Sequence, residues 1–107
     1  MKLSFDQALE RLSDGRYVKP QDVSAKALKR VLWVSEWHIP GCLSESMMYS
    51  ANKGDAVQSS LLMADLNGEA PRGMKTALMR DGRFDSDSPL FGRVINTVYK
   101  TTLGDLL

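Results

Sequence analysis

The stretch from Val31 to Asp65 constrains the fold more than any other part of the chain. It opens with Val31-Leu-Trp-Val-Ser-Glu-Trp-His-Ile39, breaks at Pro40-Gly41, and resumes at Ser46-Met-Met-Tyr-Ser50. Val31, Trp33, Trp37 and Ile39 fall on one side of a two-residue period, with Ser35 as the polar member of that side. β-Branched and aromatic side chains suit a pleated, half-buried surface, so the pattern reads as strand, turn, strand. Asn52-Lys-Gly-Asp55 then has the form of a helix start, with Asn52 at the N-cap and Asp55 at N3. Ala56, Val57, Ser60, Leu61 and Ala64 follow at helical spacing, and Asn67-Gly68 is the expected stop. Both tryptophans and the single histidine lie in this stretch, and the single cysteine, Cys42, follows Ile39 by three residues. The organising core is expected here.

The flanking segments add helices and one more strand. Ser4 caps a helix expected from Phe5 to Asp14, in which Phe5, Ala8, Leu9 and Leu12 recur on one face and Gly15 ends the run. Tyr17-Val18 reads as a short edge piece before Pro20. Residues 24–37 admit two readings: one helix from Ser24 to Trp37, or a short helix capped by Ser24 and then a strand. Ser35, Glu36 and His38 leave the long helix a poor apolar stripe, so helix then strand is expected. Pro71 suits the first turn of a helix carrying Met74, Ala77 and Leu78 and ending at Gly82. Arg83 to Pro89 reads as a polar loop, Arg93 to Thr101 as a last strand, and the leucines of Leu103–Leu107 as a tail docked on the core. Pro40-Gly41 permits an antiparallel hairpin, and no βαβ rhythm is present to supply parallel crossovers. The expected fold is α+β over residues 1–107 as one domain: a small, mainly antiparallel sheet of about three strands with two or three helices packed on one face.

Composition excludes several classes. Hydrophobic residues make up 43% and charged residues 25% of the 107 positions, ordinary values for a soluble domain. The length exceeds the ~40 residues below which metals or disulfides are usually required. A lone cysteine permits no internal disulfide, the N-terminus turns acidic at once, and no apolar run approaches the ~18 residues of a membrane span. A cytoplasmic protein with no membrane role is expected.

No motif names a reaction. His38 and Cys42 bracket the Pro-Gly turn, and Glu36 or Glu45 would be needed to orient the imidazole for a Cys–His nucleophile. A buried, apolar Cys42 and a strand-borne His38 are the simpler expectation. Zinc wants four ligands, which these two residues do not supply. Asp81, Asp85 and Asp87 lack the glycine and bidentate glutamate of a calcium loop, and no glycine-rich phosphate cradle is present. Glu10 and Asp14 fall on a helix surface. Neither catalytic nor metal nor cofactor residues are therefore assigned.

Basic residues form two groups, Lys26/Lys29/Arg30 and Arg72/Lys75/Arg80/Arg83. Phosphate contacts supply most non-specific nucleic-acid affinity, yet the net charge is only +1 and no nucleic-acid-binding motif accompanies the clusters. The aromatic and methionine surplus (Trp33, Trp37, Met47, Met48, Tyr49, Phe91) has hot-spot composition instead. The expected function is a small non-enzymatic inhibitor or adaptor acting on a protein partner, of the kind encoded by phages and plasmids. A nucleic-acid-binding accessory protein is the alternative. The contact residues expected are Lys75, Arg80 and Arg83, with Lys29 and Arg30; Phe84 is expected to plug the core.

Overall fold

A computed structural model describes residues 1–42, 45–66, 70–89 and 91–107. Helix α1 (Phe5–Ser13) is followed by a single 3-10 turn (Pro20–Asp22) and a short helix α2 (Ala25–Leu28). Strands β1 (Val31–His38) and β2 (Glu45–Ser50) lead into helices α3 (Lys53–Leu66) and α4 (Met74–Asp81). Strands β3 (Arg83–Ser88) and β4 (Gly92–Thr102) precede the terminal turn of helix α5 (Leu103–Leu106). The strands form one sheet in the order β2-β1-β4-β3, with every neighbouring pair antiparallel. The α+β class is as expected, with four strands instead of about three.

The additional strand is β3, which the sequence presents as a polar loop. It pairs with β4 from Arg83↔Thr97 to Ser88↔Gly92. An edge strand needs little apolar content, and charges on its outer positions keep other chains from adding to it. Here Arg83, Asp85 and Asp87 alternate with Phe84, Ser86 and Ser88, and Phe84 alone supplies the apolar anchor.

The helices pack on both faces of the sheet, where one face was expected. Successive residues of a strand point to opposite sides, so β1 sorts the core by parity. Its even positions Leu32 and Val34 join Phe5, Ala8, Val18, Val23, Ala27 and Leu103 in one buried cluster. Its odd position Trp33 packs with Val98 and Phe84 against Ala56, Val57, Met74 and Leu78 of α3 and α4. Trp33 and Trp37 do share a face, and both are half-buried, but the fully buried strand residues Leu32 and Val34 lie on the other. A central strand covered on both sides reads as a continuous apolar run, and the Val31–Val34 segment is one. Ser35 is buried within it because its hydroxyl donates to the Ala56 carbonyl at 2.7 Å, which meets the hydrogen-bonding need of a polar group out of water.

Local chemistry starts and stops the elements. The Ser4 hydroxyl accepts from the Gln7 N–H at 3.2 Å while the Gln7 carboxamide accepts from the Ser4 N–H at 2.9 Å, a reciprocal capping box. Ser24 caps α2 through the Ala27 N–H, and the chain then enters β1, so residues 24–37 are helix then strand. The Asn52 side chain accepts from the Asp55 N–H at 2.9 Å and donates to the Asp55 carboxylate at 3.0 Å. Tyr17-Val18 is not an edge strand: Val18 is buried in the first cluster and Tyr17 is exposed. Pro71 lies outside the helix it was expected to begin, in a turn closed by the Met74 N–H on its carbonyl. The Asn67-Gly68 stop lies outside the described residues. Leu103 is buried, with Leu106 and Leu107 packed beside it, so the terminal leucines dock as expected.

Candidate binding surface

The face of the sheet that carries Leu32 and Val34 is covered by α1, α2 and α5 only toward one end. Beyond Val34 it stays accessible, as one side of an antiparallel sheet can. Directly opposed residues share a face, so the ladder fixes the rows of this surface. One row runs Met47, Glu36, Thr97, Arg83 across β2, β1, β4 and β3. The row on its outer side contains His38, Ile95 and Asp85, and Tyr99 lies in the row toward the core, opposite Val34.

Polar contacts hold these side chains in place. The Glu36 carboxylate accepts from the Tyr99 hydroxyl at 2.7 Å and from the Thr97 hydroxyl at 3.4 Å. Asp85 accepts from Arg83 Nε at 2.9 Å and Nη2 at 3.1 Å, and from Arg93 Nη2 at 2.9 Å. The hydrogen bond from Arg83, then that from Arg93, lowers the Asp85 carboxyl from an ordinary 3.8 to about 2. Met47 and Tyr99 are 37% and 38% exposed on the same face. The result is a fixed mixture of methionine, tyrosine and paired arginines on rigid strands, the composition enriched at the centres of protein interfaces.

The shift at Asp85 has a testable sign. A carboxyl whose folded value is depressed stabilises the fold above its unfolded value and loses that contribution as pH falls through its folded value. The Asp85 contribution is therefore complete above 3.8 and disappears as pH approaches about 2. Carboxyl-detected NMR titration should place Asp85 near 2, and Arg93→Ala should move it upward. Raising the salt should do the same, because the ions are exposed and screened. A titration at the ordinary value in the unmodified protein would remove the Asp85 clamp from this surface.

The expected contact residues do not share one surface. Arg83 points onto the open face. Lys75 and Arg80 lie on α4, which packs on the opposite side of the sheet through Met74 and Leu78. Arg80 is held by its neighbour Asp81, with Nε at 3.1 Å and Nη2 at 2.9 Å from the carboxylate. Lys29 and Arg30 precede Val31, which pairs with Thr102 at the other end of the long strands. The Arg30 guanidinium sits 4.2 Å over the Phe5 ring, and its carbonyl accepts from the Leu103 N–H at 3.0 Å. Arg30 thus helps to join α1 to α5. Phe84 plugs the core as expected.

Glu36, Thr97 and Tyr99 were not among the expected contact residues, whereas Met47 belongs to the methionine and aromatic surplus of hot-spot composition. Alternation along Arg93–Thr101 places Arg93, Ile95, Thr97 and Tyr99 on one face, and alternation along β1 sets Glu36 on the face opposite Trp33 and Trp37; which face of β1 meets which face of β4 is set by the register of the sheet. Cys42 is exposed in the segment between β1 and β2, not buried as expected. Glu36, one of the two carboxylates considered for orienting His38, is engaged by Thr97 and Tyr99; the Glu45 side chain lies outside the described residues. Among the described residues no group of three or more His, Cys, Asp or Glu side chains could hold a metal ion, and no helix is long and apolar enough to cross a membrane. Comparison with protein-family models, curated proteins and solved structures gives no match to this chain.

Proposed function

We propose that this chain is a small non-enzymatic binding protein, an inhibitor or adaptor, whose protein partner sits on the open half of the sheet face around Tyr99. The observation that carries the reading is the accessible row of Met47, Glu36, Thr97 and Arg83, with Tyr99 tied to Glu36 and with Arg83 and Arg93 tied to Asp85. Side chains held by one another lose little freedom on binding, which keeps the ordering cost of association low. Tyrosine and arginine are also the residue types that dominate binding energy when truncated.

The charge arrangement supports a protein partner over nucleic acid. The two arginines of this face share one carboxylate, and Arg80 is paired with Asp81. Such cations are already partly neutralised, whereas phosphate binding draws its affinity from cations that release counterions.

Affinity capture followed by reconstitution of the purified complex tests the reading. Tyr99→Ala and Arg93→Glu should each weaken the complex at least tenfold, about 1.4 kcal/mol, while Lys75→Glu with Arg80→Glu leaves it within twofold. Neutral effects at Tyr99 and Arg93 together with loss at Lys75 and Arg80 would move the contact surface to the helical side. Tight duplex DNA binding at physiological salt, with a log–log salt slope that falls by about 0.9 per arginine removed, would replace the protein partner with nucleic acid.

A further inference from the structure

We propose that β2 is a self-pairing edge, and that two copies of this chain join through it, antiparallel about a two-fold axis at Met48, into one continuous eight-stranded sheet. The inference shares Met47 with the surface proposed around Tyr99 but rests on the backbone edge and the sequence of β2.

The two edges of the sheet differ in kind. β3 carries Arg83, Asp85 and Asp87 at alternate positions and is followed by Pro89. Charges and proline are the devices that keep an edge from pairing. β2 has neither between Ser46 and Ser50. It pairs with β1 alone, and among the described residues no backbone hydrogen bond joins its outer side to another element. An outer row of backbone donors and acceptors flanked by apolar side chains is a template for another strand.

The sequence of β2 selects its partner. A two-fold axis normal to the sheet keeps each face on its own side, so it must pass through a residue and pair positions of equal parity. Centred on Met48, it pairs Ser46 with Ser50 of the second copy, Met47 with Tyr49, and Met48 with Met48. Serine meets serine, thioether meets aromatic ring, and methionine meets methionine. Cross-strand pairs of these types are favourable, and sulfur against an aromatic edge adds to them. No charge opposes a like charge anywhere in the five-residue register. Met47, 37% exposed in the single chain, becomes covered at the seam. The antiparallel arrangement also sends the α1–α2–α5 ends of the two copies to opposite ends of the seam, so these helices do not compete for space.

Sedimentation equilibrium across a range of concentrations should give a mass rising from 11.9 kDa toward twice that value. Met47→Lys should raise the dimer dissociation constant at least tenfold while leaving the circular dichroism spectrum unchanged, together with the thermal midpoint measured at concentrations where both proteins are monomeric. Directly opposed Cβ atoms lie about 4.5–5.5 Å apart across such a pair, so Met48→Cys in a Cys42→Ser background should form an intermolecular disulfide rapidly on mild oxidation. Met79→Cys in the same background, exposed on the helical side, should form it only slowly. A mass of 11.9 kDa at every concentration up to about 1 mM would overturn the proposal. So would equal cross-linking rates at positions 48 and 79, or a dimer that Met47→Lys leaves intact.

Discussion

Replacing Trp33 by alanine lowers the stability of the chain by about 3 kcal/mol, near the lower end of the range for large aromatic truncations because the ring is only partly buried. Trp33 packs with Val98 on the cluster formed by Ala56, Val57, Met74 and Leu78. The Lys53 ammonium lies 5.4 Å from its ring centroid and donates at 2.6 Å to the Met79 carbonyl, so one lysine links β1, α3 and α4. Truncation removes apolar contact and the cation–π attraction together, and it releases the lysine that ties the two helices. A fall in thermal midpoint of roughly 12–20 °C is expected for a domain of this length. Trp37→Ala should cost about half as much, because Trp37 meets Phe91 edge-on at 5.4 Å beside the β3–β4 turn instead of the helix layer. Calorimetry on both variants decides the matter. Equal losses at the two tryptophans, or a loss below about 1 kcal/mol at Trp33, would mean that the α3–α4 layer is not anchored on this ring.

Gly82→Ala is the second large effect, with an expected cost of about 2–5 kcal/mol from strain and overpacking combined. Gly82 has φ of 70°, a left-handed conformation that L side chains rarely adopt. Its N–H donates to the Leu78 carbonyl at 3.1 Å to close α4, and its carbonyl accepts from the Val98 N–H at 2.8 Å to open the β3–β4 ladder. A Cβ at this position would stand 2.7 Å from the Val98 carbonyl oxygen, which belongs to the sheet backbone and has little room to move. Gly15 isolates the strain from the contact: its φ is 76°, but a Cβ there meets nothing within 4 Å. Gly15→Ala should therefore cost only the conformational part, about 1–2 kcal/mol. Urea denaturation of the two variants with unchanged m-values gives the comparison. Equal costs at the two glycines would show that the chain relaxes around position 82.

The reversal at Gly82 also explains why the contact residues could not be grouped correctly from their order. Arg80 and Arg83 are three positions apart in sequence, yet one ends a helix packed on one side of the sheet and the other begins a strand that points it to the opposite side. β3 carries no strand signature of its own for a related reason. Its charges are compensated across the ladder, where Arg93 reaches Asp85, and only the pairing with β4 makes a strand of so polar a segment. The Glu36–Tyr99 contact joins residues 63 positions apart, so no local pattern could announce it.

Short-range chemistry controls the features that can be read along the chain. Ser4, Ser24 and Asn52 start helices through side-chain oxygens that act within three residues, and the two-residue period of β1 puts Trp33 and Trp37 on one face through the geometry of the strand alone. Tertiary structure decided everything that depends on neighbours in space. It placed helices on both sides of β1, so that Leu32 and Val34 are buried more deeply than the tryptophans. It left Cys42 exposed, separated Arg83 from Lys75 and Arg80, and assembled Met47, Glu36, Thr97 and Tyr99 into one accessible row. Periodicity specifies which residues of a strand share a face; only the packing of the other elements decides which face is covered.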